Sequence, residues 1–326
     1  MLALADVLTG SVNIPLASIP EILINPQGSN HVWHTILTDF RIPKTITAIL
    51  AGSALSVSGL QMQTVFRNPL AGPDVLGVSS GASLGVALVV MGFGNTLISD
   101  NMGFLGSWIQ IIAAWFGAGM VLLLIMAVSV RVREIMTILI LGILFGSAAA
   151  AIVSIMQYFS PQSLLKAFVV WSMGSISGLT SMQLRVLSLS LTAGFLLTFM
   201  TARIMNVILL GERYSQSMGV NVKTARLLIF LSTSLLAGSI TAFCGPVGFI
   251  GIAVPHLARF LFRSANHFVL IPASILIGSV VMLLADIISQ LPASGLILPV
   301  NSVTAIIGIP VVVWVIVYNR RFTNLN

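Results

Sequence analysis

The chain has 326 residues, of which 15 are Lys or Arg and 8 are Asp or Glu, a charged fraction of 7% where a soluble domain carries roughly 25%. With 57% hydrophobic residues and a mean hydropathy of +1.07, it holds more apolar surface than a soluble fold of this size can cover. Disorder, a disulfide scaffold and nucleic-acid binding are excluded together, because the net charge of +7 comes from scattered cations and there is one cysteine. The sequence is that of an all-α polytopic membrane protein.

Residues 1–10 are apolar, but a helix needs about 20 such residues to cross ~30 Å of hydrocarbon. They read as the last part of a helix, with upstream coding sequence expected to supply its beginning. Gly10 and Ser11 then open a polar loop containing Pro15, Pro20 and Pro26. Beyond it, uncharged windows predict helices near 44–66, 77–93, 106–130, 136–158, 185–205, 225–243, 268–289 and 303–318. The window opening at Leu227 is longer than one span and is interrupted by Gly245, Pro246, Gly248, Gly251 and Pro255. It predicts a full helix, a break, and a short helix to about Phe262. Irregular backbone at that depth is tolerated only where protein or a wet cavity covers it. Nine hydrophobic elements result, besides the partial first one.

Lys and Arg orient these spans. With the C-terminus cytoplasmic, Arg67, Arg131, Arg133, Arg203, Arg213, Lys223, Arg226, Arg259, Arg263, Arg320 and Arg321 share the inner side, and only Arg41, Lys44, Lys166 and Arg185 lie outside. That bias obeys the positive-inside rule. An internal match supports the threading: Thr47, Leu50-Ala51-Gly52-Ser53, Gly59 and Pro69 recur 186 positions later as Thr233, Leu236-Ala237-Gly238-Ser239, Gly245 and Pro255. The two segments thread in opposite directions, as in the inverted repeats of transporters, although LAGS is also common in small-residue helix packing.

Few polar residues suggest chemistry. Asp286, inside a hydrophobic run, is either functional or paired near the end of a span. His31 and His34 have a spacing that suits a metal, but only Asp39 could add a ligand, and a solvated loop is the simpler reading. Cys244 reads as a core residue and His256 as satisfying a helix terminus. Gly142, Gly146 and Ala149 share one helix face, which either lets a neighbour approach or lines a pathway. No P-loop and no catalytic constellation is present in the sequence. The Gly-bounded cytoplasmic stretch from Leu210 to Val220 reads as a short amphipathic helix suited to a partner's groove. Outside, Arg41-Ile42-Pro43-Lys44 puts two cations at the mouth of a span, where acids of an external partner would pair with them.

These segments resemble the FecCD family, the permease subunits of ATP-binding-cassette (ABC) importers for iron-siderophores, haem and vitamin B12. The resemblance spans the whole chain. It rests on Arg41-Ile42-Pro43-Lys44 before Leu50-Ala51-Gly52, on Gln61, Phe66, Asn68-Pro69-Leu70-Ala71, Pro73, Leu76-Gly77-Val78 and Gly81-Ala82, and on Leu210-Gly211-Glu212 with Met218-Gly219-Val220. It continues in Gly248-Phe249-Ile250-Gly251, Pro255-His256, Arg259, Ala285-Asp286, Gly308 and Pro310.

The resemblance implies one transmembrane domain over 1–326 with about ten helices, its repeat halves near 41–160 and 225–320, and a coupling loop at 206–224. It implies a non-catalytic subunit without cofactor or metal of its own, in the bacterial inner membrane with its C-terminus cytoplasmic. Its partners would be a second permease copy or paralogue, two cytoplasmic ATPase subunits that bind ATP, and a periplasmic or lipid-anchored substrate-binding protein. Gly211, Glu212, Arg213, Ser215, Met218 and Gly219 would form the coupling helix, and Arg41 and Lys44 would receive the binding protein. The helix at 136–158, with Gly142, Gly146 and Ala149, would line the pathway, and Glu134, Ile135 and Met136 would lie near its gate. Two departures stand out: Gln290 takes the place of a further external basic position, and the gate lacks small hydroxyl residues. The first helix also lacks its amino-terminal half. The expected cargo is an iron-siderophore, with haem or vitamin B12 as alternatives. An ion-coupled secondary transporter is the competing class, disfavoured by the scarcity of intramembrane acids.

Overall fold

The computed structural model describes residues 1–10, 12, 14–15, 18–19, 22, 31–93, 103–131, 134–291 and 297–323. Among them there is no strand. The helices are α1 (Leu2–Leu8), α2 (His31–Val65), α3 (Val78–Gly92), α4 (Gly103–Arg131), α5 (Ile135–Phe159), α6 (Gln162–Ser172), α7 (Ser181–Ile208), α8 (Glu212–Ser217), α9 (Val222–Cys244), α10 (Ile250–Phe262), α11 (His267–Ser289) and α12 (Val300–Thr323). The nine expected hydrophobic elements are α2 to α5, α7 and α9 to α12. The expected loop around Pro20 and Pro26 lies outside the described residues. Two features differ from expectation: α2 begins a dozen residues before Lys44, through the π-helical turn Ile36–Arg41, and α6 fills what read as a connection.

Local chemistry sets several boundaries. The Thr180 hydroxyl accepts from the Gln183 backbone N–H while the Gln183 side chain accepts from the Thr180 N–H, a reciprocal cap that starts α7. The side chains of Asn221 and Asn266 cap α9 and α11 in the same sense.

Contacts between helices give their directions. Along α2 and α11, Lys44 meets Asp286, Ser56 donates to the Ser274 carbonyl and Thr64 bonds His267, so these two helices are antiparallel. Gln61 bonds Thr198, and Arg67, just past α2, bonds the Ile208 carbonyl, so α7 runs alongside α2 in the same direction. Ser190 bonds Ser239 and Thr198 bonds Ser232, so α9 is antiparallel to α7. It follows that α9 runs opposite to α2. Each is followed by a break, a short helix and two long ones: α3, α4 and α5 in the first unit, α10, α11 and α12 in the second. The same architecture is thus built twice in opposite directions.

Two devices hold the units together. Small residues bring backbones into contact: a Cβ built on Gly52 would lie 2.1 Å from the Gly278 carbonyl oxygen, and one on Gly59 only 1.7 Å from that of Gly251. Buried amides and hydroxyls then bond across the seams. The Gln61 amide donates to Thr198 and Ser232 at 3.0 Å each and accepts from Thr233 at 2.8 Å, joining α2, α7 and α9. The breaks themselves are satisfied by side chains: His256 bonds the Pro69 carbonyl at 2.8 Å, and Asn301 accepts from the Gly248 N–H at 3.0 Å. Without such partners the interrupted backbone would be costly at this depth.

Candidate functional site

The segment expected to couple to the ATPase sits where α7 ends and α9 begins. Gly211 and Gly219, with φ of 120° and 81°, bracket α8 in conformations that side chains rarely adopt, so the chain turns sharply into and out of this short helix. Ser215 points inward, donating to the carbonyls of Val207 at 3.0 Å and Gly211 at 2.7 Å. Leu210, Arg213, Tyr214 and Met218 are exposed on the other side, Tyr214 and Met218 by more than half of their surface. Glu212 does not stand free: it forms an ion pair with Arg226 of α9. Arg67, just beyond α2, donates to the Ile208 carbonyl at 2.9 Å. Arg67 and Arg226 are the residues that sequence reasoning missed here, because a pair formed across a turn leaves no periodic signal.

The expected pathway residues are distributed differently from the expectation. Gly142, Gly146 and Ala149 are buried and do not face open space: a Cβ on Gly142 would lie 2.2 Å from the Val75 carbonyl, and one on Gly146 would meet Ser80 at 3.2 Å. They are the seam by which α5 packs on its own subunit. The open face of α5 is the opposite one, carrying Ile140, Ile143, Leu144, Ser147, Ala151 and Ser154. At its start, Glu134 is exposed and accepts from the Thr137 hydroxyl at 3.3 Å, with Ile135 half-buried and Met136 exposed.

Arg41 and Lys44 both have partners within the subunit. Arg41 is buried and donates to the carbonyls of Val7, Leu8 and Val12, closing the end of α1. The Lys44 ammonium lies 2.7 Å from Asp286, whose carboxylate is only 1% exposed and also accepts from Gln290 at 3.1 Å. Beside it, Thr45 donates to Asp6 at 2.5 Å. The two cations therefore fasten α1, α2 and α11 to one another, Arg41 through carbonyls that leave its charge uncompensated and Lys44 through a carboxylate brought in from distant sequence. Of the two readings of Asp286, pairing near the end of a span is the one the geometry bears out.

His31 is exposed and His34 half-buried in the first turns of α2, and no group of three or more potential ligands occurs among the described residues. At the end opposite to α8, a cavity of about 280 Å³ opens between α4, α6, α7 and α9, lined by Gln110, Trp171, Ser175, Gln183 and Phe243 without a charged group.

The chain matches the model of the FecCD transport family over residues 1–318. It is 32% identical to the hemin transport system permease protein of Yersinia pestis, over 96% of this chain and 92% of that one. It is 33% identical to the vitamin B12 import system permease protein of Escherichia coli, over 93% of this chain and 88% of that one. Identity is 30% to an iron chelatin transport system permease protein of Helicobacter pylori, covering 98% and 96%. Among solved structures, a chain described as a metal-chelate type ABC transporter in an inward-facing conformation superposes with a TM-score of 0.81 at 28% identity, covering 97% of this chain and 96% of that one. The chain belongs to the FecCD transport family and is a multi-pass ABC importer permease of the bacterial inner membrane.

Proposed function

We propose that this permease passes an iron-siderophore-type chelate into the cytoplasm, driven by ATP that partner subunits hydrolyse. The observation that carries the reading is the coupling segment: exposed Leu210, Tyr214 and Met218 on and beside a short helix whose other face is tied to the membrane helices. An apolar and aromatic patch on a rigid support suits a groove in another protein. It lies on the side that collects eleven of the fifteen cations, which makes that side, and the C-terminus with it, cytoplasmic. The whole chain acts as one unit, halves 41–160 and 225–320 linked through 206–224.

The partners are then two ATPase subunits below, a substrate-binding protein above, and a second permease copy or paralogue. The open face of α5 supports a pathway role. Ser147, Ala151 and Ser154 recur there at helical spacing, and exposed small and hydroxyl side chains suit a wet channel better than lipid. In this reading Arg41 and Lys44 shape the outer surface by fixing α1 and α11. For cargo, the iron chelatin permease supports a ferric chelate, and the hemin and vitamin B12 permeases support haem or vitamin B12 as the alternatives.

The test is uptake into liposomes holding the permease with its ATPase, supplied with the cognate binding protein and, in turn, a ferric siderophore, hemin or cobalamin. The expected result is ATP-dependent uptake of the siderophore that survives an uncoupler. Uptake abolished by the uncoupler refutes the importer reading, and preference for hemin or cobalamin refutes the cargo.

A further inference from the structure

A short helix in a loop passes force to the membrane only if it cannot yield on its own, and here it is fastened at three points. Ser215 holds α8 to the last turn of α7 through two carbonyls. Glu212 is paired with Arg226, whose side chain is 5% exposed and projects from the second turn of α9. From the turn just past α2, Arg67 reaches the Ile208 carbonyl at the end of α7, and its guanidinium lies beside Gly211, where a Cβ would be 3.8 Å away. Arg67 does this from a left-handed backbone, φ 46°, a conformation that costs a non-glycine residue energy and persists where surrounding contacts enforce it. Next to these cations Phe66 of the same turn stacks on Phe230 of α9, ring centroids 6.0 Å apart.

From this geometry we infer that Arg67 and Arg226 are positioning residues that clamp the coupling segment to α2 and α9, the first helices of the two inverted units, so that its displacement enters both halves at once. The inference rests on reading α8 as the ATPase contact. A guanidinium bonded to a carboxylate or carbonyl has a fixed direction and resists rotation of the loop. The Arg226 side chain is 5% exposed and that of Glu212 32%, so swinging the loop away would break the ion pair of a buried guanidinium. Glu212 thereby serves the clamp from within the chain.

The experiment uses the full complex in liposomes and reads ATP hydrolysed per chelate imported. Glu212→Gln and Arg67→Ala are expected to raise that ratio at least about fivefold, the low end of energetic coupling between sites, while still co-purifying with the ATPase. The reversed pair, Glu212→Arg with Arg226→Glu, is expected to bring the ratio back toward that of the unaltered protein. Residues that merely support the fold would lower yield, transport and hydrolysis together and leave the ratio unchanged, which overturns the clamp. Arg67→Ala leaves no buried charge behind and keeps the test decisive if a Glu212 variant fails to assemble. Met218→Asp separates the two levels. If it assembles and transports normally, α8 is not the ATPase contact; if it uncouples while the Arg67 and Glu212 variants keep the ratio, the clamp alone is wrong.

Discussion

Replacing Lys44 by Met tests whether this cation belongs to the fold or to a partner. Asp286 is 1% exposed and the Lys44 side chain 15%, so the pair is nearly dry. Removing one partner of a buried pair leaves an uncompensated charge, at about 3–5 kcal/mol. Two groups soften that here: Gln290 donates to the same carboxylate at 3.1 Å and Ser289 at 3.3 Å, and the residual exposure of Lys44 admits some screening. The expected loss is therefore about 2–3 kcal/mol, a fall in Tm of roughly 5 °C for a chain of this size. Cys244 supplies the assay, being the single cysteine and buried. A thiol-reactive fluorophore added to the detergent-solubilised protein labels it only on unfolding, so labelling against temperature reports Tm without an introduced probe. The double variant Lys44→Met, Asp286→Leu removes both charges and is expected to recover most of the loss, because two apolar groups can replace a buried pair at little cost. A Lys44→Met protein that unfolds within 1 °C of the unaltered one, a margin well inside the roughly 5 °C shift, would refute the internal role and restore Lys44 as a free docking cation.

Two further outcomes follow from the seams. Gly52→Ala places a methyl 2.1 Å from the Gly278 carbonyl oxygen, which forces α2 and α11 apart by about 1 Å at a cost near 3 kcal/mol, whereas Gly238→Ala at the repeat-related position meets nothing nearer than 3.4 Å and is expected to be neutral in the same thermal assay. Gln61→Leu leaves the buried hydroxyls of Thr198, Ser232 and Thr233 without its amide and is expected to cost about 1–3 kcal/mol, a figure that an unchanged Tm would contradict.

The spans were legible because hydrocarbon imposes length and apolarity on each segment separately. A reading of 136–158 became Ile135–Phe159, and one of 225–243 became Val222–Cys244. The short helix α8 was legible from its glycines, since positive φ at Gly211 and Gly219 is a local demand. By contrast α6 was missed: Lys166 and only eleven residues hide it from a test built on spans. The destinations of charges were illegible for a different reason. Lys44 meets Asp286 and Glu212 meets Arg226 through tertiary packing, and no spacing rule links their positions. The face holding Gly142 and Gly146 could be found by period, but which neighbour it touched could not.

The LAGS match shows why both explanations of it were correct. Gly52 of α2 packs on Gly278 of α11, the third helix of the other unit, and Gly238 of α9 faces Val78 at the start of α3 and Ala118 of α4, the second and third helices of the other unit. The adjacent serines follow suit: Ser53 bonds Ser279 of α11 at 2.8 Å, and Ser239 accepts from Trp115 of α4 at 3.3 Å. Small residues that let helices approach are therefore what the duplication repeats, each unit laying its first helix across the third helix of its counterpart. The two seams are not equally tight. At Gly52 the backbones touch with no room for a methyl, while at Gly238 the nearest atoms already lie at ordinary contact distance. An inverted pair of units is symmetric only in plan. The first seam is closed by backbone contact and, at the end far from α8, by Lys44 and Asp286, whereas the second relies on side chains, which can repack where a backbone cannot.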